Sequence, residues 1–194
     1  MSDEEDTVAD LSFVAWDEIL APSGDSMEVG NDAQWTVSSC KAGNGVQKLR
    51  DNKIDTVWQS DGAQPHTISV FFRERMFVEC LCFYVDYEDD ETYTPNRVCA
   101  KVGTMLSDMT VVSTKDLDQP RGWITMPLTD DSGRPSHVFM VELIIIANHQ
   151  NGRDTHIRQC KIYARSEPAV LPLSAQESLY TFGGAPLSHF NTLR

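Results

Sequence analysis

Basic charge is what this sequence most lacks: 16 Lys and Arg stand against 29 Asp and Glu, and 16 − 29 gives a net charge of −13. Nucleic acid and anionic membrane surfaces both require a basic face, so a chain this acidic is not expected to bind either unaided. Long apolar runs are missing as well. No uninterrupted stretch approaches the roughly 18 residues of a membrane-spanning helix, and the start MSDEEDTVAD is the opposite of a basic signal peptide. Enzyme signatures are absent too: there is no GxSxG elbow, HExxH, GxxxxGK[ST], or GxGxxG after a strand. The five histidines are scattered, and only His149 and His156 share a loop. The expectation is a soluble, intracellular, non-catalytic protein with no cofactor and no metal.

Cysteine usage agrees with that compartment. The five cysteines, Cys40, Cys80, Cys82, Cys99 and Cys160, are odd in number, include no CxxC, and mostly sit inside apolar strand-like runs. They read as buried reduced thiols. Cys80 and Cys82, two apart on a strand, should point to one face, but no His or Cys cluster nearby completes a metal set.

What is present is strand after strand. Residues 66–72 alternate polar and apolar, the period of a strand with one buried face. Residues 76–87, MFVECLCFYVDY, are almost wholly apolar and suit a central strand buried on both faces. Further strands are expected at 34–40, 97–102, 109–114, 123–128, 138–147 and 156–164, with Val98, Ala100 and Val102 on one side of theirs. A turn of helix is possible around 45–50. About eight strands with turn signals between them predict an all-β protein, a β-sandwich or jelly roll. Before them, Leu11, Ala15 and Ile19 have the spacing of a short helix that packs on the domain or on a partner.

The densest polar cluster is residues 148–156, NHQNGRDTH, directly after the apolar run IIIA. Amides that donate and accept, with Asp154 free to pair with a cation, suit a loop that reads a polar ligand. The same residues suit a well-bonded turn in which Asn151-Gly152 makes the reversal and Arg153 pairs with Asp154. The residues alone leave both readings open. The segment 165–194 is broken by Pro168, Pro172, Gly183, Gly184 and Pro186 and ends Leu193-Arg194. An apolar side chain, a guanidinium and a carboxylate placed together could dock in a groove.

Four segments carry a resemblance. LRDNKIDTVWQSDGAQPHTISVFF, YEDDETYTPNRV, GWITMPL and ANHQNGRDTHIRQCKIY, in that order, closely resemble the Doc-domain subunit family of the anaphase-promoting complex, across roughly residues 35–163. The resemblance implies a jelly-roll β-sandwich of the galactose-binding, discoidin-like kind. Residues 1–30 read by composition as an acidic extension that departs from the family, and the resemblance implies the Doc domain at 31–165 and a docking tail at 166–194. It also implies a non-catalytic subunit of a ubiquitin ligase acting in cell-cycle control, in nucleus and cytoplasm. Working with a propeller-type coactivator, such a subunit forms a receptor for destruction-box degrons, Arg-x-x-Leu peptides, and promotes processive ubiquitination.

Matched by motif, the implied degron-binding residues are Thr92 and Tyr93 in DETYTP, and Asn148, His149, Gln150, Asn151, Asp154 and His156 in NHQNGRDTH. Ser60 and Asp61 belong to the family loop WQSDG, where Trp58 is expected to anchor the core rather than touch ligand. Leu193 and Arg194 stand where family tails often end Ile-Arg and enter a groove of a tetratricopeptide-repeat scaffold subunit. A discoidin-like carbohydrate-binding module is the alternative on the same fold. A Doc-type module in another ubiquitin ligase is a third reading.

Overall fold

The computed structural model describes residues 20–21, 24–130 and 132–165. The short helix expected at Leu11, Ala15 and Ile19 and the terminal Leu193-Arg194 lie outside the described residues.

Ten strands follow one another: β1 (Ser26–Glu28), β2 (Gln34–Val37), β3 (Trp58–Gln59), β4 (His66–Asp86), β5 (Pro95–Gly103), β6 (Thr110–Asp116), β7 (Arg121–Pro127), β8 (Ser136–Asn148), β9 (His156–Ile157) and β10 (Gln159–Arg165). All pairings are antiparallel, in the order β1-β10-β4-β8-β5-β6, with β2 and β7 also on β4 and a separate β3-β9 pair. The result is the expected jelly-roll β-sandwich.

The main departure from the sequence reading is β4. Residues 66–72 and 76–87 read as two strands separated by Arg73-Glu74-Arg75. They form one strand of 21 residues with a register shift between Phe71 and Met76. Its first part pairs with β2 and β8, and its second with β10 and β7 while Met76, Phe77 and Val78 still pair with β8. The three charged residues are exposed at the irregularity, where the strand bends and its register on β8 shifts. Both ends of β4 therefore return to the same end of the sandwich. The ring of His66 reaches the Arg153 carbonyl, and Tyr87, just past the other end, reaches Gln150.

The alternation expected for 66–72 is present: Ile68 and Val70 are fully buried, Phe72 nearly so, and Thr67, Ser69 and Phe71 are half-buried. They pack in one cluster with Val98, Ala100 and Val102 of β5, Leu143 and Ile145 of β8, and Leu81, Phe83 and Val85 of β4. Burying one such side chain contributes roughly 1.5–3 kcal/mol. The second half of β4 is buried on both faces, as its composition requires. Cys80 and Cys82 turn away from the main cluster and pack with Leu20 and Tyr163. Their Sγ atoms are 3.9 Å apart, which confirms the shared face. Four of the five free cysteines are buried, and Cys40 is exposed.

Trp58 is fully buried, and its Nε1 donates to the Ser39 carbonyl at 3.0 Å. It is a core anchor, as expected. The possible helical turn at 45–50 is a 3-10 turn at Val46–Leu49. Two short strands, β1 and β3, carry no periodicity that three or two residues could show. The single strand expected at 156–164 is interrupted at Arg158, which lies between β9 and β10.

Register defines two ends. Pro95 lies across from Asn148, and His66 from Ile145, while Gly103 and Phe71 both lie across from Met140. At 3.3–3.4 Å per residue, Pro95 and Gly103 are about 27 Å apart. The loops before β4, between β4 and β5, and after β8 all meet at the first end.

Candidate functional site

Asp86 closes β4 and caps a single helical turn, Tyr87–Asp90, by accepting from the Glu88 amide at 3.1 Å. A 3-10 turn, Glu91–Tyr93, follows, entered through Glu91 at φ 43°. From the other side, β8 ends at Asn148 and runs into a 3-10 turn, His149–Asn151, in which Gln150 and Asn151 hold φ of 52° and 58°. The reversal is thus made by Gln150-Asn151 rather than by the expected Asn151-Gly152. Asn tolerates this left-handed region better than most residues, and Gln is held there at some strain.

The two turns are packed together. The His149 amide donates to the Thr94 carbonyl at 2.9 Å, and Tyr87 and His149 meet edge to face at 4.8 Å. Gln150 Nε2 donates to the Tyr87 hydroxyl at 3.2 Å. Tyr93 stacks on His156, with ring centroids 4.2 Å apart and planes within 11°. Thr155 Oγ1 donates to the Tyr93 carbonyl at 3.2 Å.

Beneath them lies a buried charge cluster. Asp90, 6% exposed, accepts from His156 Nδ1 at 2.9 Å and from Arg158 Nε at 3.1 Å. Arg158 also donates to the Ile54 carbonyl at 2.7 Å and to Asp89 at 3.3 Å. Burial pushes the Asp90 carboxyl up, but the hydrogen bonds from His156 and Arg158 and the guanidinium charge outweigh it. The carboxyl is held below the usual carboxylate range. Asp90 therefore stays ionised, draws the Nδ1 proton of His156, and leaves Nε2 as the imidazole's outer atom.

The loop before β4 forms the floor. Ser60, fully buried, accepts from the Thr155 amide through Oγ at 2.8 Å and donates its own amide to the Thr155 carbonyl at 3.1 Å. His66 Nε2 is 2.7 Å from the Arg153 carbonyl, and Gln64 Nε2 donates to the Gly152 carbonyl at 2.9 Å. Asn148 Nδ2 donates to the Asp154 carbonyl at 2.7 Å. The local Arg153–Asp154 pair that the turn reading expected is replaced: Arg153 Nε donates to the Gly62 carbonyl at 3.3 Å.

All eight residues named from the sequence therefore lie in these two contacting loops or, for Asn148 and His156, at the strand ends that flank the second. Asn148 is buried, Thr92, His149, Asp154 and His156 are half-buried, and Tyr93, Gln150 and Asn151 are exposed. Buried polar atoms without a hydrogen-bond partner gather here: Asn148 Oδ1, Asp154 Oδ1, His149 Nε2, His156 Nε2, Thr94 Oγ1 and His66 Nδ1. Such atoms are costly unless something pairs with them. They are mostly acceptors, in a neighbourhood with the carboxylates of Asp89 and Glu91. Among the described residues, no group of three or more His, Cys, Asp or Glu is arranged to hold a metal. Sequence reasoning missed Tyr87, Asp90, Thr94, His66 and Arg158. Asp90 sits in the acidic run YEDDE, which reads as a solvated loop, and nothing in spacing ties it to residues 66 and 68 positions later.

Solved structures with this architecture include the family 32 carbohydrate-binding module of Clostridium perfringens NanJ in complex with galactose, with a TM-score of 0.58 and 12% identity over 71% of this chain and 98% of that one. An F5/8 type C domain from Bacteroides fragilis matches with a TM-score of 0.59 and 11% identity, covering 74% and 99%. At such identities the likeness shows the fold alone. Sequence comparison goes further. The chain is 46% identical to anaphase-promoting complex subunit 10 of Homo sapiens over 152 residues, covering 78% of this chain and 82% of that one. It is 40% identical to that of Drosophila melanogaster over 195 residues, covering 100% and 92%. The family model for "Anaphase-promoting complex, subunit 10" matches residues 2–185. The chain belongs to the family of subunit 10 of the anaphase-promoting complex.

Proposed function

We propose that this chain is a non-catalytic substrate-receptor subunit of the complex. Together with a propeller-type coactivator it forms a shared receptor for destruction-box degrons, Arg-x-x-Leu peptides, and so promotes processive ubiquitination in nucleus and cytoplasm. The observation that carries this reading is the meeting of two polar turns, Glu91–Tyr93 and His149–Asn151, at one end of a rigid sandwich, where Tyr93, Gln150 and Asn151 are exposed. A peptide offers backbone amides and side-chain donors in a row, which the exposed amide side chains of Gln150 and Asn151 and the carboxylates of Asp89 and Glu91 can pair with. Function on loops carried by a scaffold is the usual arrangement. Tyr93, stacked on His156, adds an apolar face beside them.

In the same reading Leu193 and Arg194 dock in a groove of a tetratricopeptide-repeat scaffold subunit, and ubiquitin transfer takes place on other subunits. The sugar-binding alternative rests on a likeness of fold at 11–12% identity, which does not favour it.

The test is to change Asn151 and Asp154 together to Ala, assemble the full complex with coactivator, and measure degron-peptide affinity. Losing interactions worth about 1.4 kcal/mol would weaken binding tenfold. Assembly should persist. Unchanged affinity and processivity would show that these loops are not the receptor.

A further inference from the structure

The face of β10, β4 and β7 that turns away from the main apolar cluster places two thiols side by side. Cys80 and Cys82 stand two apart on β4, so both project from that face. Register sets Lys161 of β10 and Thr125 of β7 on either side of Cys82, and Tyr163 and Pro127 on either side of Cys80. Leu20, Ala21 and Trp123 pack over the pair. The two Sγ atoms are 3.9 Å apart, and Cys82 Sγ is 3.4 Å from the Thr125 hydroxyl.

Buried cysteines are most often small apolar side chains, but such a role calls for no cation beside them. Here Lys161, 2% exposed, lies in the same row as Cys82. Lys115 Nζ is held at the Thr125 carbonyl at 2.7 Å. The hydrogen bond with Cys80 holds the Cys82 thiol below its usual value against the cost of burial, helped by the Thr125 hydroxyl and the charges of Lys161 and Lys115. The thiolate, not the thiol, is the form that binds metal.

We propose that Cys80 and Cys82 form a two-coordinate site for a soft monovalent cation, Cu(I), held between the two sulfurs. Geometry favours this over a disulfide. Two steps along a strand span about 6.6 Å, at the upper edge of the roughly 4.4–6.8 Å between the α-carbons of a disulfide. Two metal–sulfur bonds of about 2.3 Å each bridge the 3.9 Å gap with a bend and little movement. Zn(II) in a structural site is almost always four-coordinate, and among the described residues no group of three or more His, Cys, Asp or Glu is arranged to hold a metal. Thiolates instead select Cu(I). On binding, the two thiols release two protons to solvent and each sulfur donates an electron pair to Cu(I), whose oxidation state is unchanged. The product carries one net negative charge, which Lys161 and Lys115 offset. Cys82 is about 13 Å along β4 from Asp86, so this site is separate from the candidate degron loops.

The experiment titrates Cu(I), kept reduced and free of oxygen, into the full chain in competition with the chelator bicinchoninate. One equivalent should bind, with a thiolate-to-copper absorption band in the ultraviolet. Cys80→Ala and Cys82→Ala should each weaken binding by at least the roughly hundredfold that loss of an outer-shell partner can cost a metal site. Cys40→Ser, at an exposed thiol, should change nothing. Because a buried substitution can unfold a domain, a second measurement uses the unaltered chain: bound Cu(I) should protect Cys80 and Cys82 from alkylation in mild urea, read by mass spectrometry. The proposal is overturned if binding survives both alanine variants or depends on Cys40, Cys99 or Cys160 instead. It is equally overturned if Cu(I) leaves the alkylation of Cys80 and Cys82 unaffected, or if Zn(II) binds as tightly.

Discussion

Gly152 and Thr92 touch through backbone alone. A β-carbon at position 152 would stand 1.7 Å from the Thr92 carbonyl oxygen, far inside any contact distance. The residue is Gly for want of space, not for its φ, which at −55° suits any amino acid. Gly152→Ala must push the 91–93 turn away from the 149–151 turn. Overpacking with a backbone shift costs about 1–3 kcal/mol, read as a lower midpoint in urea unfolding, and degron affinity should fall with it. Gly24→Ala, with nothing within 4 Å, should be silent. Equal effects of the two would refute the close approach.

Asp90 should make stability depend on acid. Its carboxyl lies below the ordinary 3.8 in the folded state. Its contribution is therefore complete above 3.8 and is lost as pH falls through the depressed value. Asp90→Asn leaves the Arg158 guanidinium without its buried counter-charge and should cost about 3 kcal/mol near neutral pH. The gap between wild type and variant should close on acidification. A gap that is constant with pH would remove the ionised carboxylate from the account.

Ser60→Ala removes the acceptor of a fully buried amide. The Thr155 amide would then be unsatisfied, at a cost of about 1–3 kcal/mol. The local signature is faster hydrogen exchange of residues 155–158, while the amides of β8 keep their protection. If exchange at Thr155 is unchanged, the Ser60 bond is not holding the loop.

Removing Leu193 and Arg194 should weaken incorporation into the complex while leaving the thermal midpoint of the free chain and the loops' degron affinity in place. Co-purification of the shortened chain with tagged scaffold subunits measures this. Undiminished recovery would mean that the terminal pair does not dock.

The sheets were legible from residues because each strand shows its burial in its own letters. Ile68, Val70 and Phe72 alternate with half-buried neighbours, and 76–87 is almost wholly apolar because both faces are covered. What could not be read is where one strand bends and shifts its register: Arg73-Glu74-Arg75 has the composition of a turn, yet pairing resumes at Met76. The loops divide in the same way. His149, Gln150 and Asn151 stand out as a dense polar run, and the family resemblance adds Thr92 and Tyr93. Asp90, Arg158 and His66 act through partners 66 to 104 positions away. Local pattern carries no trace of such pairings, and the charge of Asp90 argues for solvent until Arg158 is placed beside it.

The return of β4 to its starting end sets the order in which the chain can be completed. Sequences made early supply the floor at Ser60 and the acid at Asp90, but His156 and Arg158 arrive only with the last two strands. Until then a carboxylate destined for the interior has nothing to neutralise it, and the 91–93 turn has no facing turn. Closing such distant contacts is slow. The facing turns at 91–93 and 149–151 should accordingly be the last part of the molecule to acquire protection during folding.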